Sequence, residues 1–321
     1  MNDYIVEVDK LKLYFPIRGG ILSRTVANVH AVDNVSFKIQ RGETLGLVGE
    51  SGCGKTTLGR CILRLLEPTE GTIKFDGINL TELSAEELRN TRSKMSMIFQ
   101  DPYSSLNPRK TVADIVGQPL EIHKIAAGRE KEERVTKILE QVGMNLDHIY
   151  RYPHEFSGGQ KQRIGIARAI AINPEFVVAD ECVAALDVSI KAGILNLLKQ
   201  LKKEMNLTYL FITHDLSVVN YLCDRVAVMY LGKLIEIADT ETLFNEPLHP
   251  YTKALISAIP IPDPAVKRDR IILPGSVPTP IDPPPGCRFY PRCLKATSMC
   301  KDINPELVEI KPGHFVSCSM L

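Results

Sequence analysis

Four short stretches of this chain hold residue types at spacings that chemistry requires. Residues 49–56 read GESGCGKT, which fits the frame G-x-x-x-x-G-K-[ST]. A polyphosphate needs many donors at close range. The glycines here let the backbone N–H groups of Gly49, Glu50, Ser51, Gly52, Cys53 and Gly54 turn toward its oxygens at the positive end of a helix. Lys55 supplies a mobile cation for the β and γ phosphates, the Thr56 hydroxyl is a Mg²⁺ ligand, and Thr57 follows in the same turn. The stretch predicts nucleotide binding, and by itself it fits kinases, GTPases, helicases and transport ATPases alike.

Residues 176–181, FVVADE, narrow that choice. An apolar strand delivers two adjacent carboxylates to its C-terminal edge, where sheets of this kind bind ligands. Asp180 then completes the Mg²⁺ shell, and Glu181 polarises an attacking water as general base. At 157–160, SGGQ, the residues Ser157, Gly158 and Gly159 sit where a helix begins. A hydroxyl and backbone N–H groups there make either a second anion site or an ordinary N-capped helix.

The fourth stretch holds Cys287, Cys293, Cys300 and Cys318, separated by five, six and seventeen residues. These gaps lack the short pairs of zinc ribbons and the tight runs of ferredoxins. Four thiols in a Pro-rich segment with little core of its own still suit a four-cysteine metal site that orders the segment. Spacing leaves iron–sulfur, zinc, unliganded and disulfide states open. Cys53, Cys61, Cys182 and Cys223 read as small packing residues; Arg288 and Arg292, between the tail cysteines, either moderate the charge of a cluster or, more simply, form an exposed pair.

The elements that must position these residues follow from periodicity. Strands are expected at 3–9, at 35–48 broken by Arg41-Gly42, and in GTIKFDG, KMSMIFQ, EFVVAD, TYLFITHD and RVAVMYLGKLIEI. Helices are expected at 57–67, 82–94, across Val112 to Gly143, after SGGQ, and at 189–204. The charged run GREKEERVTKILEQVG reads as a solvated helix face. Buried strands alternating with helices imply a largely parallel α/β sheet, with an antiparallel portion nearer the N-terminus. After about residue 258 the chain turns Pro-rich and loses helix periodicity, which marks a boundary before a loop-rich tail that needs a staple.

Lys plus Arg number 39 against 38 Asp plus Glu, so there is no electrostatic footprint for nucleic acid or for an anionic membrane. No run approaches eighteen uninterrupted apolar residues, and MNDYIVEVDKLKLYF alternates charged with apolar residues. The expectation is a cytosolic chain without signal peptide or membrane span, in which clustered thiols point to metal before disulfides.

Phosphate loop, S-G-G-Q segment and acidic strand, in this order, resemble an ABC ATPase, the nucleotide-binding subunit of a membrane transporter, over residues 3 to about 258. The resemblance implies an α/β P-loop NTPase fold with a RecA-like core, an antiparallel β subdomain and an α-helical subdomain at about 101–160. The ATPase domain is then 1–258, and a loop-rich C-terminal domain with the cysteine cluster is 259–321. It implies ATP and Mg²⁺, with two ATP molecules sandwiched in a head-to-tail dimer. Ser157, Gly158, Gly159 and Gln160 of one subunit close over nucleotide held by the phosphate loop of the other.

By their place in the family's motifs, Gln100 in MIFQDP senses Mg²⁺ and the γ-phosphate, and His214 in FITHDL contacts the γ-phosphate. Asp187 in AALD matches the loop between the two sites. Phe15, with Tyr14 close behind, is matched to the aromatic that stacks on adenine. The catalytic set is thus Glu181, His214, Gln100 and Lys55, and Mg²⁺ falls to Thr56, Gln100 and Asp180. The chain departs from the pattern at Phe156, where Leu usually precedes the Ser, at Ala184 in place of Ser, and at Cys182 in place of Pro.

A narrower resemblance runs through DPYSSLNPRKTV (101–112), RYPHEFSGGQ (151–160), NEPLHPYTKALISAIP (245–260) and PPPGCRFYPRC. These are similar to the oligopeptide/dipeptide importer ATPases, a group that includes nickel importers. The implied protein is cytoplasmic and peripheral on the inner face of the cell membrane. It couples ATP closure and hydrolysis to peptide uptake through integral permease subunits, which it meets through the 101–120 stretch. Its partners are a second ATPase subunit, a paralogue in vivo or a homodimer in vitro, and indirectly an extracytoplasmic solute-binding protein, with no nucleic acid. Some members carry a [4Fe–4S] cluster on the tail cysteines, which favours iron–sulfur here with Zn²⁺ as the alternative. Rival readings are a nickel or other small-solute importer, a soluble ABC ATPase acting on DNA or ribosomes, and a regulatory module. The second would carry a coiled-coil insertion or basic patch, and the third a crippled Glu181 or Lys55; the sequence has neither feature.

Overall fold

The computed structural model describes residues 3–20, 23–260 and 269–321. Two compact units emerge, one of residues 1–39, 44–81 and 212–321, the other of residues 40–43 and 82–211. The first unit opens with β1 (Tyr4–Gly19), β2 (Arg24–Gln40), β3 (Thr44–Val48), α1 (Lys55–Ile62), β4 (Glu70–Phe75) and β5 (Ile78–Asn79). β1 and β4 pair antiparallel with Val6 opposite Phe75 and Val8 opposite Ile73, all four buried. They form the middle of a four-stranded sheet ordered β2-β1-β4-β5. β3 is buried at every position, as expected of a strand covered on both faces.

The second unit holds α2 (Ala85–Thr91), β6 (Met95–Ile98), α3 (Pro102–Ser105), α4 (Val112–Ile122), α5 (Gly128–Gln141), α6 (Gly158–Ile170), β7 (Phe176–Asp180), α7 (Val188–Met205) and most of β8 (Thr208–Thr213). β6 and β7 run parallel, Met95 opposite Phe176 and Ile98 opposite Ala179. α5 keeps its charged face in water and buries Val135, Ile138 and Leu139. Its exposed i,i+4 pairs, Arg129–Glu133 and Glu130–Arg134, contribute a few tenths of a kcal/mol each at most.

The chain then returns to the first unit with α8 (Leu216–Leu222), β9 (Arg225–Tyr230), β10 (Lys233–Asp239), α9 (Thr240–Asn245), α10 (Pro250–Ser257), β11 (Val308–Lys311) and β12 (His314–Val316). β3 pairs parallel with β9, from Leu45 opposite Arg225 to Val48 opposite Val228. β10 then pairs antiparallel with β9, β12 with β10 and β11 with β12. An antiparallel run thus follows the parallel pair as well as occurring near the N-terminus.

Three boundaries differ from expectation, each for a local reason. The helical stretch expected across 112–143 breaks between α4 and α5, where Lys124 takes a left-handed backbone (φ 55°). α1 stops at Ile62 because Arg64, also left-handed, donates its guanidinium to the Leu80 carbonyl at 2.7 Å. β2 starts at Arg24 and not near Val35. Its early half is bound to the tail: the His30 N–H donates to the Pro280 carbonyl at 2.9 Å and the Asn28 N–H to Asp282 Oδ1 at 3.1 Å. Pairing between residues so far apart along the chain leaves no periodic trace in the sequence.

The tail is likewise more than a loop awaiting a staple. It buries Phe289, His314 and Val316. Its β12 is held by Glu236, a wholly buried carboxylate that accepts from the Leu248 N–H (2.7 Å), the His249 N–H (3.0 Å) and His314 Nε2 (2.7 Å). Among the described residues no helix is long and apolar enough to cross a membrane.

His249 caps α10, its Nδ1 accepting from the Tyr251 N–H at 3.1 Å. Burial pushes its pKa down to about 3. An unfolded histidine titrates near 6.5, so between about pH 6.5 and pH 3 the unfolded chain binds the extra proton and stability falls as pH falls. Acidification from pH 7 to pH 5 is expected to cost about 2 kcal/mol through this residue. Denaturant melts across that range should show His249→Asn, which keeps a capping side chain, losing less stability on acidification than the parent.

Candidate functional site

In the first unit β3 ends at the glycine-rich loop and α1 begins at Lys55. Gly54 sets that geometry. Its φ is 105°, and a Cβ there would lie 2.0 Å from the Ala31 carbonyl oxygen, so no other residue fits. The N-cap residue of α1 is Gly54, which has no side chain to bond the first turn. Lys55 is buried, with Nζ donating to the carbonyls of Gly49 (2.9 Å) and Glu50 (3.0 Å). The loop therefore holds its own cation across its mouth. Cys53 lies buried beside it, and burial pushes the Cys53 thiol up and that of Cys61 up to about 12. Both are packing groups at neutral pH.

Glu50 is fastened from outside the loop: its N–H donates to the Tyr251 hydroxyl at 3.0 Å, and its carboxylate accepts from Arg292 Nη1 at 2.8 Å. Of the two aromatics considered on β1, Tyr14 is engaged. Its hydroxyl donates to Asp33 Oδ1 at 2.6 Å and its ring stacks on His30 at 4.0 Å, whereas Phe15 is 42% exposed. His214 is exposed just past the end of β8.

In the second unit β7 is buried throughout and carries Asp180 to 1% exposure. The next residue, Glu181, has a left-handed backbone (φ 43°), uncommon for a non-glycine residue, where the strand ends. Gln100, just past the end of β6, donates its side-chain amide to Glu181 Oε2 at 3.0 Å, so two residues 81 positions apart are in contact. Cys182 is buried, its thiol pushed up to about 12, and fills space. Asp187 is exposed at the N-cap of α7.

The S-G-G-Q segment forms a reciprocal cap on α6: the Ser157 N–H donates to Gln160 Oε1 at 3.0 Å and the Gln160 N–H to Ser157 Oγ at 3.4 Å. The capped-helix reading is therefore structurally true, and it presents the helix N-terminus. Gly159 is a matter of packing, because a Cβ there would come within 2.5 Å of Ile190 Cγ2 on α7.

Cys287, Cys293, Cys300 and Cys318 line one cavity of about 230 Å³, with His249 and Lys253 on its wall. Among the described residues no group of three or more His, Cys, Asp or Glu is gathered closely enough to hold a single metal ion. Arg288 and Arg292 are not an exposed pair. Arg288 bonds Asp33 and the Leu231 carbonyl, and Arg292 bonds Glu50, both with little exposed surface. Sequence reasoning missed Tyr251 and Arg292 because each lies more than 200 positions from Glu50, and no local spacing signals such a contact.

Comparison with known proteins gives consistent matches. The ABC transporter family model matches residues 32–184, and the oligopeptide/dipeptide transporter C-terminal region matches residues 235–300. The chain is 53% identical to the oligopeptide transport ATP-binding protein AppF of Bacillus subtilis, over 99% of this chain and 98% of that protein. It is 55% identical to a putative peptide import ATP-binding protein of Brucella ovis, over 91% of this chain and 92% of that one. Among solved structures it is similar to an ATP-binding cassette captured as a dimer in a post-hydrolysis state with ADP and Pi (TM-score 0.66, 30% identity, 73% of this chain, 98% of that chain). It is also similar to cbiO1 of Clostridium perfringens, part of the ABC transporter complex cbiONQ (TM-score 0.65, 29% identity, 76% and 92%).

Ile190 is β-branched and stiff, so Gly159→Ala forces α6 and α7 apart. The expected cost is about 1–3 kcal/mol, read as a lowered denaturation midpoint of the purified chain; an unchanged midpoint would contradict the close approach.

Proposed function

This chain belongs to the ABC transporter family, in its oligopeptide/dipeptide group, and on that premise we propose that it is the ATP-hydrolysing subunit that drives peptide import through a membrane permease. The peptide assignment is carried by the C-terminal match over residues 235–300 together with full-length identity to peptide-import ATP-binding proteins. The hydrolytic assignment draws its support from the Gln100–Glu181 contact at the end of β7. A carboxylate has about four lone-pair sites, so one that accepts from an amide keeps acceptor capacity for a water.

In the proposed cycle the phosphate loop binds the triphosphate through its backbone N–H groups other than that of Glu50, which is given to Tyr251, and Lys55 leaves the loop carbonyls for the β and γ phosphates. Thr56, Asp180 and Gln100 are the residues that would hold Mg²⁺, which supplies neutralisation of phosphate charge. Glu181 orients a water for in-line attack on the γ-phosphate, with Gln100 fixing the carboxylate until nucleotide arrives. His214 contacts the γ-phosphate, and Phe15, the exposed aromatic of β1, stacks on adenine.

Ser157 to Gln160 close over nucleotide on a second ATPase subunit, and Asp187 lies in the loop between the two sites. Closure of that sandwich is the step that biases the permease, which meets residues 101–120. Residues 1–258 form the ATPase domain and 259–321 the C-terminal domain. The subunit works at the cytoplasmic face of the membrane, supplied with solute by an extracytoplasmic binding protein.

The tail cysteines are assigned to a [4Fe–4S] cluster. Cys287, Cys293, Cys300 and Cys318 line one cavity of about 230 Å³ and are the residues that would hold the cluster. Thiolates are the ligands that iron–sulfur clusters take. A cluster there would serve a structural or redox-sensing role.

Glu181→Gln is expected to lower ATP turnover about 10²–10⁴-fold while ATP binding persists, measured by phosphate release and ATP titration; undiminished turnover would overturn the general-base assignment. For the tail, protein purified without air should absorb broadly near ~400 nm with about four irons per chain. Colourless protein with about one zinc, or none, would overturn the cluster.

A further inference from the structure

The two segments that distinguish the C-terminal region, HPYTKAL and CRFYPRC, converge on one residue of the phosphate loop. The Tyr251 hydroxyl takes the Glu50 N–H at 3.0 Å, and Arg292 takes the Glu50 carboxylate at 2.8 Å. Neither side chain is loose. Tyr251 is fully buried, with Tyr230 and Phe289 packed edge-on against its ring at 4.8 and 5.5 Å. Arg292 ends a one-turn helix, Tyr290–Arg292, and keeps 8% of its surface. Just before that turn Arg288 is fastened to Asp33 and Leu231, and just after it Cys293 faces the four-thiol cavity.

We propose that Arg292 is a positioning residue for ATP: with Tyr251 it fixes the entry of the phosphate loop by holding Glu50, without itself touching nucleotide. The chemistry explains why the clamp needs a cation. Glu50 places a carboxylate in a loop that must receive a highly charged anion, and like charges at close range oppose binding. Paired with a guanidinium in a fixed geometry, that carboxylate is neutralised and turned toward the tail. Its backbone N–H is already given to Tyr251, so this residue contributes shape to the loop and leaves phosphate contacts to its neighbours. The C-terminal region thereby acts on the nucleotide site from within the same unit, by binding geometry and not by chemistry on the γ-phosphate.

The inference rests on the reading of residues 49–56 as an ATP site, and the experiment separates the two. The full chain is titrated with Mg–ATP and its turnover measured for the parent, Arg292→Lys, Arg292→Ala, Glu50→Gln, and Arg292→Ala combined with Glu50→Gln. Arg292→Ala should weaken ATP binding and raise KM about tenfold, with kcat within about twofold; Arg292→Lys, which keeps the charge, should recover part of the loss. In the Glu50→Gln background the same Arg292→Ala change should cost less than about threefold, since the unpaired carboxylate is gone.

An equal loss in both backgrounds would mean that Arg292 only anchors the tail, and would overturn the proposal. So would unchanged ATP affinity in Arg292→Ala. Should Arg292→Ala fail to fold, Glu50→Asp carries the test: it keeps the charge, withdraws it by one methylene, and should raise KM at constant kcat. Unchanged KM there overturns the proposal too. Failure of the parent chain to bind ATP would overturn both this inference and the reading beneath it.

Discussion

A loop that binds phosphate through its own backbone must be held open by something other than the groups it offers to the ligand. Glycines that permit the required turns also make the loop costly to order, so its shape has to be imposed from its surroundings. Here the imposition is visible atom by atom. Gly54 sits against the Ala31 carbonyl with no room for a Cβ, Lys55 spans the mouth on two carbonyls, and Glu50 is tied by backbone and side chain to Tyr251 and Arg292. The last two lie more than 200 positions from Glu50 along the chain, and Arg292 belongs to the C-terminal tail.

The second unit solves a related problem for the acid. Glu181 stands just past the end of a buried strand in a left-handed backbone, which costs a non-glycine residue about 1–3 kcal/mol. The contact with Gln100 holds its carboxylate. Gln100 follows β6, so a parallel pair of strands, β6 and β7, brings the amide and the acid together. The S-G-G-Q segment is built by the same economy: one capping box both starts α6 and presents its N-terminus.

Local pattern carried much of this. The phosphate loop, FVVADE and SGGQ were readable because each motif's function depends on close neighbours in the chain, and the strands and helices that bear them follow hydrophobic period. The family was readable from the order of those motifs, and the comparisons bear it out. What escaped was set by distance along the chain. The early half of β2 exists because residues 280–282 pair with it, β11 and β12 exist because β10 offers an edge, and Arg288 and Arg292 look like surface residues until Asp33 and Glu50 are found opposite them. The breaks at Lys124 and Arg64 escaped for another reason, since a left-handed backbone at a lysine or arginine has no compositional signature.

The proposed cycle depends on residues 49–56 receiving ATP and residues 157–160 closing over it. Amide hydrogen exchange on the Glu181→Gln chain, followed peptide by peptide with and without Mg–ATP and at rising protein concentration, reads both events in one experiment. Protection of the phosphate loop is expected at every concentration, with added protection of 157–160 that grows with concentration as subunits pair. ATP-dependent protection confined to other segments, with none at 49–56, would contradict the cycle.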